Sequence, residues 1–419
     1  MNNELNQLNF SEKKKNNSGT KIFIGSIILL ILVLVAGFVY LTKNDKKGSL
    51  NDSDASKQIY LSNVNMSIGD NVITYIPLDD RPVNVDRVQY LAGMAGYELA
   101  MPNKAYYSTF VSMDKSNTKA GNPKKLAEFL LKQEADGCDY YIISLDQLFS
   151  GGLMSSRAFL DEDFEDGAVD SAFKALEYIL SKKENKVYLF DTTLRLATSS
   201  NYYGFSYVDN KDDFLKEKYK NSTVKEEDKY IESDYDFARM YNSAPRKVLE
   251  DKDLTKENLF ETYTNLNVSD WNKQKCYEGS KNKEEPDRSQ CYSYTTGQDE
   301  NGNKLHFIQS YELNKEETDA PKSKKYSMSD ENFNRFIKIR ERKINLFERY
   351  IKLFGTKKAE VYLTIGGDDS SNHIDNVQRN DLAYVKKVAK QYIKDFELGG
   401  GVDDAALTLL TRLAVKTAG

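Results

Sequence analysis

The sequence predicts an α/β fold built on a parallel sheet or a barrel-like core, and three observations carry that prediction. First, short apolar runs recur at residues 72–78, 140–145, 187–190 and 361–365. Runs of this length, apolar on both faces, read as buried parallel strands. Second, segments with helical apolar spacing separate them, which is the alternation of a parallel α/β core. Third, each run ends in acidic residues: Asp79 and Asp80, Asp146, Asp191, and Asp368 and Asp369. Ligands of open or closed α/β sheets bind at the carboxyl ends of the strands. The acidic ends therefore predict one carboxylate-lined site.

The elements follow in order. Residues 22–41, from Ile22 to Leu41, form an almost unbroken apolar segment. About 20 apolar residues suffice to span a bilayer as a helix. A cleaved signal peptide would carry a shorter apolar region and a small-residue cleavage site. An uncleaved single-pass signal-anchor is expected instead. No Cys follows closely, which argues against a lipid anchor. Lys flanks the span on both sides, so the short tail at 1–21 sets the expected orientation: amino terminus cytoplasmic, remainder outside. Residues 42–71 are polar and read as a linker.

The globular part opens at Val72 and is expected to run to residue 419. Val85, Val88, Leu91, Ala92 and Ala95 sit at helical spacing, with Gly96 at a C-cap position. Leu99 to Met101 is a short apolar run closed by Pro102. Asn122 and Pro123 read as an N-cap and first helical residue, and Gly137 ends that helix before the run at Tyr140. A helix over 171–180 precedes the run at Val187. Residues 206–327 are dominated by Lys, Asp, Glu, Asn and Tyr. They read as an insertion or small, partly helical cap, either a solvated face or a lid over the site. Phe333, Phe336, Ile337, Ile344, Phe347, Ile351 and Phe354 then mark a long amphipathic helix. Further helices are expected over 382–393 and 405–415.

The formal net charge of −5 argues against a nucleic-acid partner. Only two histidines, His306 and His373, are present, so a His-rich zinc site is excluded and no zinc is expected. Any cation held by so many Asp would be Mg, Mn or Ca. Of the three cysteines, Cys138 reads as a small buried residue. Cys276 and Cys291 lie in a polar stretch and could close a loop outside the cell.

The candidate catalytic carboxylates are Asp79, Asp80, Asp146, Asp368 and Asp369. Pro82 pushes Arg81 toward an extended conformation, so one carboxylate can face the site while the other pairs with Arg81. The bland alternative is a structural ion pair with helix capping. Gly151 and Gly152 let backbone approach a ligand, and Ser156 and Arg157 could bind a carboxylate or phosphate. The loop lacks the Gly-Lys-Ser/Thr ending of a P-loop. Asp191 and Arg195 are a further binding pair or a simple ion pair. His373 is a candidate proton shuttle beside Asp368 and Asp369. Asp403 and Asp404 complete the substrate-binding set, or merely favour a helix N-terminus.

Taken together these segments resemble one family. Ile76-Pro77-Leu78-Asp79-Asp80-Arg81-Pro82-Val83-Asn84 resembles the opening motif of the bacterial domain of unknown function 4127. Ser144-Leu145-Asp146, Gly151-Gly152-Leu153 and Ser156-Arg157 resemble its second motif, and Thr193-Leu194-Arg195-Leu196-Ala197 its third. Gly367-Asp368-Asp369 and Gly401-Val402-Asp403-Asp404, followed by Leu410 and Arg412, resemble the later ones. The resemblance runs from Val72 onward and is poor in the middle region. Asp404 stands where the family usually has Glu, and members usually continue beyond the position of Gly419. The resemblance implies a shared fold and site location and carries no reaction.

Three functions are compatible with these readings. Paired Asp residues from different strands can serve as acid and base or nucleophile in hydrolysis of a cell-envelope or environmental glycan. A metal-dependent hydrolase of phosphate or amide bonds is the second. A non-catalytic surface binding or assembly protein is the third.

Overall fold

The computed structural model describes residues 71–108, 120–153, 155–157, 162–193, 206–268, 291–311, 323–367, 376–400 and 403–418. β1 (Val72–Ile76), β2 (Glu98–Ala100), β3 (Tyr140–Ser144), β4 (Lys186–Thr192), β9 (Glu360–Gly367) and β10 (Phe396–Gly400) form one parallel sheet in the order β10-β9-β4-β3-β1-β2. The sheet has two edges, so it is open rather than a barrel. The four apolar runs read from sequence are its central strands. β10 was not anticipated, because Phe396-Glu397-Leu398-Gly399-Gly400 is an edge strand with few apolar residues to signal it.

Each central strand alternates between two cores, as the two-residue period of a strand demands. Ile73, Tyr75, Ile142, Tyr188 and Tyr362 face α1 (Asp86–Met94) and the last helix, α10 (Ala405–Ala418). Tyr141, Ile143, Val187, Leu189 and Leu363 face the larger core on the other side. That core takes helices α2 (Pro123–Ala135), α3 (Leu145–Ser150) and α4 (Glu162–Leu180). The helix starts obey local chemistry. Asn122 caps α2 by accepting from the Lys125 N–H at 3.0 Å, with Pro123 at the first position. α1 ends where Gly96 takes φ +84°, letting Tyr97 N–H reach back to the Ala92 carbonyl.

The polar insertion is where expectation and structure part. It holds short helices α5 (Lys211–Lys218), α6 (Asp234–Ser243) and α7 (Lys256–Thr264), but also a four-stranded mixed sheet. β6 (Tyr292–Gln298), β7 (Lys304–Tyr311) and β8 (Ser323–Ser329) form an antiparallel meander, and β5 (Ile231–Glu232) pairs in parallel with β8. Its strands are polar on their outer face, so their alternating pattern was hidden among Lys, Ser and Thr. The sheet rests on α8 (Asp330–Leu353), which is capped by Ser329. Phe333 of α8 stacks on His306 of β7 at 3.9 Å. α9 (Asn376–Tyr392) completes that side.

Among the described residues no helix is long and apolar enough to cross a membrane; the span expected at 22–41 lies outside them.

Candidate functional site at the carboxyl edge of the parallel sheet

β1 leads outward to β2 on one side, and the chain then returns to β3 on the other. Strand order therefore reverses between β1 and β3. In open α/β sheets the crevice at such a reversal, outside the carboxyl ends, is where ligands bind. The loops that flank it carry two of the predicted acidic strand ends.

After β1, Asp79 is buried and heavily bonded. Its carboxylate accepts from Arg81 Nε at 3.0 and 3.1 Å and from Asn84 Nδ2 at 2.8 Å. Asn84 is itself held because its carbonyl accepts from the Tyr75 hydroxyl at 2.6 Å. Arg81 reaches onward to Asp403, with Nη1 3.1 Å from Oδ2. Asp403 and Asp404 precede α10, and Asp404 lies 3.4 Å from Arg87. Arg81 thus ties the first strand end to the start of the last helix. Asp80, half-buried, donates its backbone N–H to the Ser108 carbonyl at 3.1 Å. Ser108 in turn donates to Gln147 Oε1 from its N–H and its hydroxyl, at 3.1 and 3.0 Å. That chain of bonds bridges the β1 loop to α3.

After β3, the strand turns directly into α3, with Ser144 accepting from the Gln147 N–H. Gly151 ends α3 in the left-handed region at φ +71°. At Gly152, φ is +119°, and a side chain would collide with Ser108, whose Oγ lies 2.1 Å from the position a Cβ would take. At Gly152 the absence of a side chain lets the loop backbone pack directly on Ser108. Ser156 is buried and its hydroxyl donates to the Leu153 carbonyl at 2.8 Å. Its own carbonyl accepts from Arg342. The Arg157 side chain lies outside the described residues, as do Arg195, Asp368, Asp369 and His373.

Beneath this rim lies a second cluster. Asp146 accepts from the Thr192 hydroxyl at 2.7 Å and from Lys343 Nζ at 2.7 Å. The same ammonium donates to Asp191, whose other oxygen accepts from the Tyr350 hydroxyl at 2.7 Å. All five side chains are buried. Burial pulls Lys343 toward neutrality, but the charges of Asp146 and Asp191 outweigh it and hold its pKa above the ordinary lysine range. Burial raises the pKa of Asp191, and repulsion from Asp146 adds to that, against the pull of Lys343. Two buried carboxylates share one ammonium here, which is the physical source of that direction. Beside the cluster a cavity of about 20 Å³ is lined by Asp191, Thr192, Lys343, Arg340 and Asp381, room for one water with polar partners. Arg340 pairs with Asp381 at 2.9 Å on its far side, and Asp381 also accepts from the Tyr263 hydroxyl.

The structure therefore brings together Asp79, Arg81 and Asp403 in one group, and Asp146 with Asp191 in another. Lys343 and Tyr350 were missed. The signal was present: seven residues apart, both fall on the apolar stripe of α8 between Phe336 and Phe354, where a lysine has no reason to be unless it meets charge. Among the described residues, no three His, Cys, Asp or Glu side chains group as a metal site. Cys291 is disulfide-bonded and Cys138 is a buried free thiol. The expected partner, Cys276, lies outside the described residues.

Residues 73–265 form a domain of the DUF4127 family, described as a protein of unknown function. No curated protein and no solved structure matches the chain.

Proposed function

We propose that this chain is a membrane-anchored, extracytoplasmic hydrolase that takes a cell-envelope glycan into the crevice between β1 and β3. One observation carries the reading: the reversal of strand order is flanked by Asp80 and Arg81 on one side and by the Gly151–Gly152 loop over Asp146 on the other. Carboxylates and a guanidinium in one crevice suit vicinal hydroxyls, which both donate and accept. Asp80, half-exposed at the rim, is the carboxylate that meets the substrate. Asp79 acts as a positioning residue, since Arg81 and Asn84 occupy it. Asp191 lies behind the rim, joined to Asp146 through the shared Lys343 ammonium. The disulfide at Cys291 supports an oxidising compartment.

A second reading, a non-catalytic glycan-binding protein, has its own support. Lys343 neutralises much of the buried carboxylate charge, as a structural pin would. The experiment is to incubate the full chain with purified envelope glycan fragments and follow both binding and new reducing ends. Release of reducing ends, reduced about 100-fold or more in Asp80→Asn, supports the hydrolase. Binding without release selects the second reading. Neither binding nor release defeats both.

A further inference from the structure

Among the described residues, β10, β2, β5 and β6 stand at the edges of the two sheets, and β6 alone is unprotected. β10 carries Glu397, β2 carries Glu98 and β5 carries Glu232. Charge, Pro and brevity are the usual shields of an edge strand, because its outer backbone groups invite a further strand. β6 has none of them. Tyr292-Ser293-Tyr294-Thr295-Thr296-Gly297-Gln298 holds no charged residue and no Pro, and its 7 residues make it the longest of these edge strands.

The ladder to β7 shows which backbone groups are left over. The Asp299 N–H donates to the Asn303 carbonyl at 2.9 Å, closing the hairpin. Bonded and open pairs alternate along an antiparallel ladder, so the next bonded pairs are Gly297 with Leu305 and Thr295 with Phe307. The N–H and C=O groups of Tyr294, Thr296 and Gln298 therefore point away from β7. Among the described residues no strand pairs with that side. Thr295, Thr296 and Gln298 are exposed. The edge is also preformed, because the Tyr294 ring stacks on Phe333 and its hydroxyl bonds to His306 Nδ1.

The strand is its own complement. Set antiparallel to itself with the two-fold axis at Thr296, it places Thr296 against the second copy's Thr296 and Tyr294 against the second copy's Gln298. Every outward group then meets an outward group, and roughly six backbone hydrogen bonds form. Facing threonines are a favourable cross-strand pair. A two-fold axis sets a central residue against itself, so a charge there would repel its own copy. β6 avoids that repulsion along its whole length.

We propose that β6 pairs antiparallel with β6 of a second copy across a two-fold axis at Thr296, joining two four-stranded sheets into one continuous sheet.

The test uses the full chain in mild detergent and follows its mass by sedimentation over a range of concentrations. The parent chain should dimerise. Thr296→Pro removes an outward N–H and leaves the ladder to β7 intact, since Pro is tolerated at an edge. It deletes a bond from each copy and should weaken the dimer about tenfold or more. Thr296→Lys sets like charges face to face and should weaken it too. Circular dichroism reports that both variants are folded. Thr296→Cys should give a disulfide-linked dimer on mild oxidation, because Cα atoms of a bonded antiparallel pair lie about 5.5 Å apart. Thr295→Cys, which does not meet itself in this register, should not. A parent chain that is monomeric at every concentration would overturn the proposal, as would a dimer that both Thr296 variants leave unchanged. Equal cross-linking at the two positions would overturn it as well. Slow hydrogen exchange of the Thr296 amide in a monomeric sample would do the same, by showing that the chain itself covers this edge.

Discussion

Lys343 Nζ donates to Asp146 at 2.7 Å and simultaneously to Asp191, so one ammonium on α8 joins the carboxyl ends of β3 and β4. Breaking a buried ion pair by removing one partner is far more damaging than replacing all of it. Lys343→Met should therefore lower stability by about 3–5 kcal/mol in urea unfolding, because it strands two neighbouring carboxylates. Lys343→Met combined with Asp146→Asn and Asp191→Asn should recover a large part of that loss. A triple variant no more stable than Lys343→Met alone would show that the ammonium is not what holds the cluster.

Arg81 offers an asymmetric test. Its partner Asp79 is buried, whereas the Asp403 side chain is 37% exposed. Asp403→Asn should cost no more than about 1 kcal/mol, as for a solvent-screened pair. Arg81→Met should cost several times more, because it leaves Asp79 charged and buried. Arg81→Lys should not restore stability fully, since an ammonium cannot reproduce the forked contacts to both carboxylates. Thermal unfolding of the three variants checks the order.

The junction between the small sheet and α8 should make stability depend on acid. His306 bonds to Tyr294 through Nδ1 at 2.6 Å and to Asp330 through Nε2 at 2.7 Å. Burial lowers the His306 pKa, while Lys304 and His306 lower that of Asp330 to about 2. Both folded-state values lie below the unfolded ones. The His306 contribution is thus present above its unfolded pKa, about 6.5, and is lost as pH falls through its lower folded value. The Asp330 contribution is present above about 3.9 and is lost as pH falls toward 2. Asp330→Asn should flatten the fall in melting temperature between pH 4 and pH 2, relative to the parent chain. An unchanged acid limb would count against this junction.

Protein taken from the cell surface should carry Cys291 in a disulfide, with Cys276 as its partner, and Cys138 as the only free thiol. Alkylation under native conditions should label none of the three, and after unfolding without reductant only Cys138. Mass spectrometry finding Cys291 alkylated in the unreduced sample would remove the bond.

The expected topology is checked on intact cells. Added protease should remove the domain beyond residue 71 while leaving the amino-terminal tail protected. The reverse pattern would place the domain inside and would also remove the glycan reading. A chelator should leave the melting temperature of the domain unchanged if no structural cation is held at Asp80, Asp368 or Asp369; a drop reversed by Mg, Mn or Ca would favour the metal-dependent alternative.

Local physics determined much of this protein. Burial on both faces makes the central strands continuous apolar runs, so they could be read without partners. Helix starts and stops at Asn122, Gly96 and Gly137 follow from capping chemistry that spans a few residues. The acidic residues at the ends of β1, β3 and β4 were legible for the same reason; Asp368 and Asp369 lie outside the described residues. Strand order was not legible, because apolar periodicity says which face of a strand is buried and nothing about its neighbour. Only the folded chain showed that order reverses between β1 and β3, with Ser108 bridging the Asp80 backbone to α3. The mixed sheet of the insertion was hidden by strands whose outer faces are polar. The pairing of Lys343 with Asp146 joins residues 197 apart in sequence. No local pattern encodes such a contact; it exists because α8 packs across the ends of β3 and β4, and a buried ammonium is stable only where carboxylates meet it.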